Sequence, residues 1–168
     1  EYMDLQEYKK CLSEIESGKL ATLKDLIYHY DEIIILGNGG SNAVGLHIAE
    51  DYHKMLGIKT ITFGDTPRMS CYANDYGWDN AYQMFLEHFV GNNTLVILIS
   101  SSGNSKNILN CAKYCVSNSI DMVTLSGHSE KNKLKSGFGS HSKLHFWVDS
   151  TDYGIVEGLH ELILHSVI

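Results

Sequence analysis

Two short stretches, GNGGS at 37–41 and SSSGNS at 100–105, each follow an apolar, β-rich run and precede a segment of helical period. A helix N-terminus presents unpaired backbone N–H groups and a partial positive charge. Serine hydroxyls add short donors, so two such turns together can hold a phosphate monoester without arginine. The candidate phosphate-binding residues are Asn38, Gly39, Gly40 and Ser41 in the first turn and Ser100, Ser101, Ser102 and Ser105 in the second. Either turn alone has a plainer use, since glycines make tight turns and serines cap helices; the pairing favours the anion. Behind the first turn, His47 and Asp51 are spaced i, i+4 and so lie on one helix face. Such a pair is ordinarily a surface hydrogen bond, and it gains chemical interest from its place behind a phosphate-type turn. Near the end of the chain, Glu157 and His165 stand two helical turns apart, about 12 Å of rise, so long side chains leaning together could share one small site.

Positioning these groups requires alternating strands and helices. Short apolar runs at 33–36, 59–63, 94–100, 121–125 and 143–148 predict five strands. The segments between them predict helices at 42–56, 67–73, 81–90, 105–117, a short one near 131–135 and a terminal one from Tyr153 onward. This alternation implies an α/β fold, a three-layer, doubly wound, five-stranded parallel sheet. In strand order 2-1-3-4-5 the first and third strands are neighbours at the switch point, and these are the strands that end in GNGGS and SSSGNS. Both turns then face one crevice. Residues 2–30 read as one or two amphipathic helices, a packing or oligomerisation segment of a single domain covering 1–168. The terminal helical pattern reaches Ile168 without a stop signal, so the natural chain is expected to continue.

Composition narrows the partners. The 168 residues carry 20 Asp and Glu against 13 Lys and Arg, a net charge of −7, and Arg68 is the only arginine. That field repels nucleic acid and anionic membrane. The chain has no apolar run of the roughly 20 residues needed to span a bilayer, and its first twenty residues are charged and helix-like, so a cytoplasmic protein is expected. Cys11, Cys71, Cys111 and Cys115 form no metal-binding spacing and read as reduced, buried thiols.

The combination of GNGGS, HIAED at 47–51, ANDYG at 73–77, SSSGNS and VEGLHELILH at 156–165 resembles the sugar isomerase (SIS) domain, and within it the phosphoheptose isomerase branch. The resemblance implies a flavodoxin-like SIS fold and conversion of sedoheptulose 7-phosphate to D-glycero-D-manno-heptose 7-phosphate for lipopolysaccharide or capsule heptose. It also implies a homotetramer with sites at subunit interfaces. Positions 47, 51, 157 and 165 carry histidine, glutamate, glutamine and histidine in that pattern, and some members bind zinc there. Here they are His47, Asp51, Glu157 and His165, two imidazoles and two carboxylates, a chemically sound set for Zn2+. Asp51, His165 and Glu157 are the implied proton-transfer groups, with Asp51 one methylene shorter than the family's base. Asn74 and Asp75 are implied sugar contacts. The family's aspartate before the terminal helix falls at Gly154, with Asp152 two residues earlier. Two other readings share the fold: a non-catalytic SIS protein that senses phosphosugars or binds a replication initiator, and an isomerase of another ketose phosphate.

Overall fold

In the computed structural model, which describes residues 3–168, strands and helices alternate. The strands are β1 (Glu32–Gly37), β2 (Lys59–Thr62), β3 (Thr94–Ser100), β4 (Met122–Ser126) and β5 (Leu144–Trp147). They form one sheet in the order β2-β1-β3-β4-β5, with every pairing parallel. Glu32 is in register with both Lys59 and Thr94, so β1 and β3 run side by side to their carboxyl ends, where Gly37 meets Ile99. Both are buried along their whole length, as central strands covered on two faces must be.

The helices are α1 (Leu5–Ser13), α2 (Ser17–His29), α3 (Gly40–Asp51), α4 (Thr66–Tyr76), α5 (Trp78–Phe89), α6 (Lys106–Ser117), α7 (Lys133–Phe138) and α8 (Tyr153–His165). Successive side chains of β1 divide between the two faces. Ile33 and Ile35 pack with Leu23 and Ile27 of α2, Val44 and Ile48 of α3, and Ile163 and Leu164 of α8. Ile34 and Leu36 pack with Tyr82 and Phe85 of α5 and Ile108 and Cys111 of α6. Each such fully buried side chain contributes about 1.5–3 kcal/mol by leaving water. A third cluster joins Cys11 of α1 to Ile155, Val156 and Leu159 of α8, so both N-terminal helices lie against the same chain's core. All four cysteines are free; Cys11, Cys111 and Cys115 are buried as expected, whereas Cys71 is exposed on α4, a helix with no buried residue.

Three boundaries differ from the sequence expectation in ways that matter for the site. The helix after GNGGS begins two residues earlier, at Gly40, and widens after Asp51 into a π turn over Tyr52–Leu56. The helix expected to stop at Ala73 runs to Tyr76, so Asn74 and Asp75 belong to its last turn. The terminal helix closes at His165, where the Ser166 N–H returns to the Leu162 carbonyl, and does not run on to Ile168.

Candidate active site

The GNGGS and SSSGNS turns sit side by side at the carboxyl ends of β1 and β3 and enclose a cavity of about 240 Å3. Asn38, Gly39, Gly40, Ser41, Ser100, Ser101, Ser102 and Ser105 line it, joined by Tyr153 and Glu157 of α8. All eight residues expected to hold phosphate therefore meet in one place. Gly39 caps α3 with φ +53°, a backbone conformation that disfavours a side chain. Neither Gly39 nor Ser105, the residues that open α3 and α6, caps its helix through a side chain. The N–H groups of Gly40 and Ser41 in α3 and of Lys106 and Asn107 in α6 are thus left without a side-chain acceptor beside a cavity where an anion would satisfy them. The hydroxyls are already organised: Ser41 Oγ lies 3.3 Å from Ser101 Oγ, and Ser100 donates to Ser105 at 3.1 Å.

Asn38 lines the cavity and also makes a bond across the two turns. Its carboxamide pairs reciprocally with that of Asn107, each Nδ2 donating to the other's Oδ1 at 2.9 Å. That pairing commits its side chain chiefly to the protein.

From this cradle a seam runs between α3 and α8. At its upper end the Glu157 carboxylate lies directly on Gly40, where any Cβ would collide with it. In the middle, His47 Nε2 is 3.6 Å from Glu161 Oε1. At the lower end, His165 Nε2 lies 3.2 Å from Asp51 Oδ2, and His47 Nε2 reaches the same oxygen at 3.5 Å. The two imidazoles stack with centroids 5.7 Å apart and planes 18° from parallel. Next to this pair, Tyr52 donates to the Leu164 carbonyl at 2.6 Å and fastens the end of α3 to the end of α8. An open groove of about 490 Å3 follows the seam past His47, Glu161, Leu162 and His165.

Asp51 is nearly buried, its side chain 11% exposed, whereas His47 and His165 are about half exposed at 52% and 46%. A solute in the groove can therefore reach the imidazoles directly. Burial pushes the Asp51 carboxyl up, but hydrogen bonds from Lys54 and His165 and the charge of His47 outweigh it and hold the group below the usual carboxylate range. Lys54 reaches Asp51 Oδ1 at 3.4 Å.

His47, Asp51 and His165 each offer one ligand atom, all within 4.8 Å of one another. Donors on a tetrahedral zinc at 2.0–2.1 Å stand about 3.3 Å apart, so these three fit a first-row divalent ion with modest closure. The expected fourth ligand, Glu157, is not in that group; it lies at the cradle end of the seam. Asn74 and Asp75 do not line the cavity or the groove and are exposed, with Asn74 donating to Asp75 at 2.9 Å. Asp152 is occupied in capping α8 through the N–H groups of Gly154 and Ile155.

Three groups at the site escaped the sequence reading: Tyr153, Glu161 and Lys54. Glu161 had a visible signal, standing four residues from both Glu157 and His165. Lys54 stands three residues after Asp51 and was open to the same spacing argument.

Comparison with known proteins places these features in context. No protein-family profile matches the chain. Phosphoheptose isomerase of Campylobacter jejuni subsp. jejuni serotype O:6 is 31% identical over 179 aligned positions, covering 96% of this chain and 91% of that protein. Phosphoheptose isomerase of Cytophaga hutchinsonii is 35% identical over 101 residues, covering 57% of this chain and 53% of the relative, so this match spans about half that relative's length. In structure, the phosphoheptose isomerase of Neisseria gonorrhoeae superposes with a TM-score of 0.84 at 21% identity over 97% of this chain and 92% of that one, a likeness of fold.

Proposed function

The chain belongs to the phosphoheptose isomerase family, and on that premise we propose that it interconverts sedoheptulose 7-phosphate and D-glycero-D-manno-heptose 7-phosphate, supplying heptose to lipopolysaccharide or capsule. The phosphate sits in the cradle on Ser41 and the SSSGNS hydroxyls, with the N-termini of α3 and α6 balancing its charge. The sugar extends down the α3–α8 groove to Asp51 and His165. Asp51 takes the proton from C1 of the ketose and returns it to C2 through an enediol, while His165 moves hydroxyl protons.

The observation that carries this reading is the spacing along α3. Ser41 lies in its first turn and Asp51 is its last residue. Ten residues of helix are about 15 Å of rise, and side chains lean back toward the N-terminus by a turn. A long, extended sugar phosphate suits that gap, and a triose phosphate does not.

Zn2+ is a proposed cofactor, held by His47, Asp51 and His165, with Glu157 completing the set if its side chain swings away from Gly40. Bound there, the ion would polarise the substrate carbonyl. We further place the protein in the cytoplasm; no helix among the described residues is long and apolar enough to cross a membrane. A homotetramer with sites at subunit interfaces is proposed because Asn74 and Asp75, the sugar contacts implied by resemblance, lie outside the cradle of their own chain. The other substrate reading, a different ketose phosphate, draws support from the Glu157 carboxylate, which adds negative charge beside the cradle.

The test is direct: sedoheptulose 7-phosphate is supplied with added zinc and, separately, with chelator, and aldose 7-phosphate is measured. Product in either arm supports the isomerase. Tight binding of the ketose without product under both conditions would favour a phosphosugar sensor.

A further inference from the structure

We propose that Asn107 is a positioning residue for phosphosugar binding: through its reciprocal bond with Asn38 it sets the spacing between the two anion-binding turns. The inference rests on the phosphosugar reading of the cradle and adds a residue that does not line it.

Asn107 lies in the first turn of α6, two residues after Ser105, and is 2% exposed. Its Oδ1 accepts from Asn38 Nδ2 at 2.9 Å and from its own helix's Ile108 N–H at 3.0 Å. Its Nδ2 donates to Asn38 Oδ1 at 2.9 Å. The carboxamide therefore does two jobs at once. It ties off the Ile108 N–H, one of the free groups that open α6, and it clamps the turn that opens α3. The neighbouring link between the turns, Ser41 Oγ to Ser101 Oγ, is long at 3.3 Å and can turn outward to a ligand. The amide pair is the shorter link, and each carboxamide already has its partner in the other.

Only an amide at both positions makes this pair. Each side chain must donate and accept in the same plane, which aspartate, leucine and serine cannot do. The partner residue, Asn38, precedes Gly39, the glycine at positive φ that turns the chain into α3. Without the clamp, Gly39 leaves the turn free to swing, and the Gly40 and Ser41 donors lose their alignment with the SSSGNS hydroxyls. Because the clamp is at the cradle and Asp51 is at the far end of α3, its loss should weaken binding and leave proton transfer in the bound complex nearly intact.

The experiment compares wild type, Asn38→Ala, Asn107→Ala and the double variant by calorimetric titration with inorganic phosphate and with sedoheptulose 7-phosphate, alongside turnover. Misaligning two or three donors, each worth a few-fold in affinity, is expected to weaken binding roughly tenfold to a hundredfold. KM should rise to match while kcat stays within about threefold. The double variant should be no worse than the worse single one, since both singles break one link. Phosphate affinity in Asn107→Ala equal to wild type, or losses that multiply in the double variant, would overturn the clamp. If Asn107→Ala fails to fold, Asn107→Asp, which keeps the acceptor for the Ile108 N–H and loses the donor to Asn38, makes the same test away from the cavity lining. Failure of wild type to bind phosphate at all would instead strike the phosphosugar reading, so the two outcomes are distinguishable.

Discussion

The two ends of α3 are built to different standards. At its N-terminus the cradle is finished: Ser41, Ser100 and Ser101 are 3–5% exposed, and their hydroxyls are already engaged with other serines of the two turns. At its C-terminus the titratable groups stand in an open groove, with both imidazoles half in water and exposed Leu162 alongside. A binding site gains from rigid donors set in advance, because the entropy of ordering them is met by folding. A proton-transfer site gains from exclusion of water. The groove lacks that exclusion in a single chain, which is the reason for expecting a neighbouring copy or the substrate itself to complete it.

The sharpest way to break this division of labour is Asp51→Asn. If chemistry resides at the lower end alone, kcat should fall by about 10²–10⁴, the usual contribution of a general base, while phosphosugar affinity stays near wild type. A parallel loss of affinity, seen by calorimetry, would merge the two regions into one.

Next in size is an acid effect on the frame that carries both. Burial pushes His145 and His160 each down to about 4. His145 lies between the Thr124 and Ser126 hydroxyls, and His160 Nε2 meets the Ser126 carbonyl at 3.1 Å, so β4, β5 and α8 share the pair. Unfolded histidine titrates near 6.5, so between pH 6.5 and about 4 the unfolded chain binds protons that the folded chain refuses. Stability should therefore fall as pH drops through that window and level off below it with respect to these groups. The loss is on the order of 3 kcal/mol for each histidine taken alone. Urea unfolding at pH 7.5 and 5 captures about 2 kcal/mol of it for each histidine, and His145→Gln should reduce the difference.

A smaller effect is expected from Gly40→Ala. The new methyl must displace Glu157, which should cost roughly tenfold in phosphate affinity and about 1 kcal/mol of stability through local repacking. Ser41→Ala should do least, a loss of a few-fold in phosphate affinity, corresponding to about 1 kcal/mol for one hydrogen bond, with thermal stability unchanged.

How much of this was legible in the sequence differs between the same two ends. The cradle was almost fully legible, because turn chemistry is local and the parallel order 2-1-3-4-5 brings the two turns together. Asn38 is the exception there, since its pairing with Asn107 spans 69 residues and no local pattern announces it. Along the seam, helical period identified the faces of α3 and α8 but not their relative height. His165 comes level with Asp51, whereas Glu157, two turns earlier, comes level with Gly40. Antiparallel or parallel slippage of one turn shifts a contact by about 5 Å, and spacing within one helix carries no information about it. Asn74 and Asp75 were placed by resemblance alone, and in one chain they lie outside both cavities.

The central claim is that phosphate held at one end of α3 presents the sugar's C1 and C2 to Asp51 at the other. Incubating the protein with sedoheptulose 7-phosphate in D2O, and following the C1 and C2 protons by NMR, tests it most directly. Wild type should place solvent deuterium at C2 of the aldose, or at C1 of recovered ketose, and Asp51→Asn should bind without exchange. Exchange by Asp51→Asn at the wild-type rate, or neither aldose nor exchange from wild type with or without zinc, would contradict it.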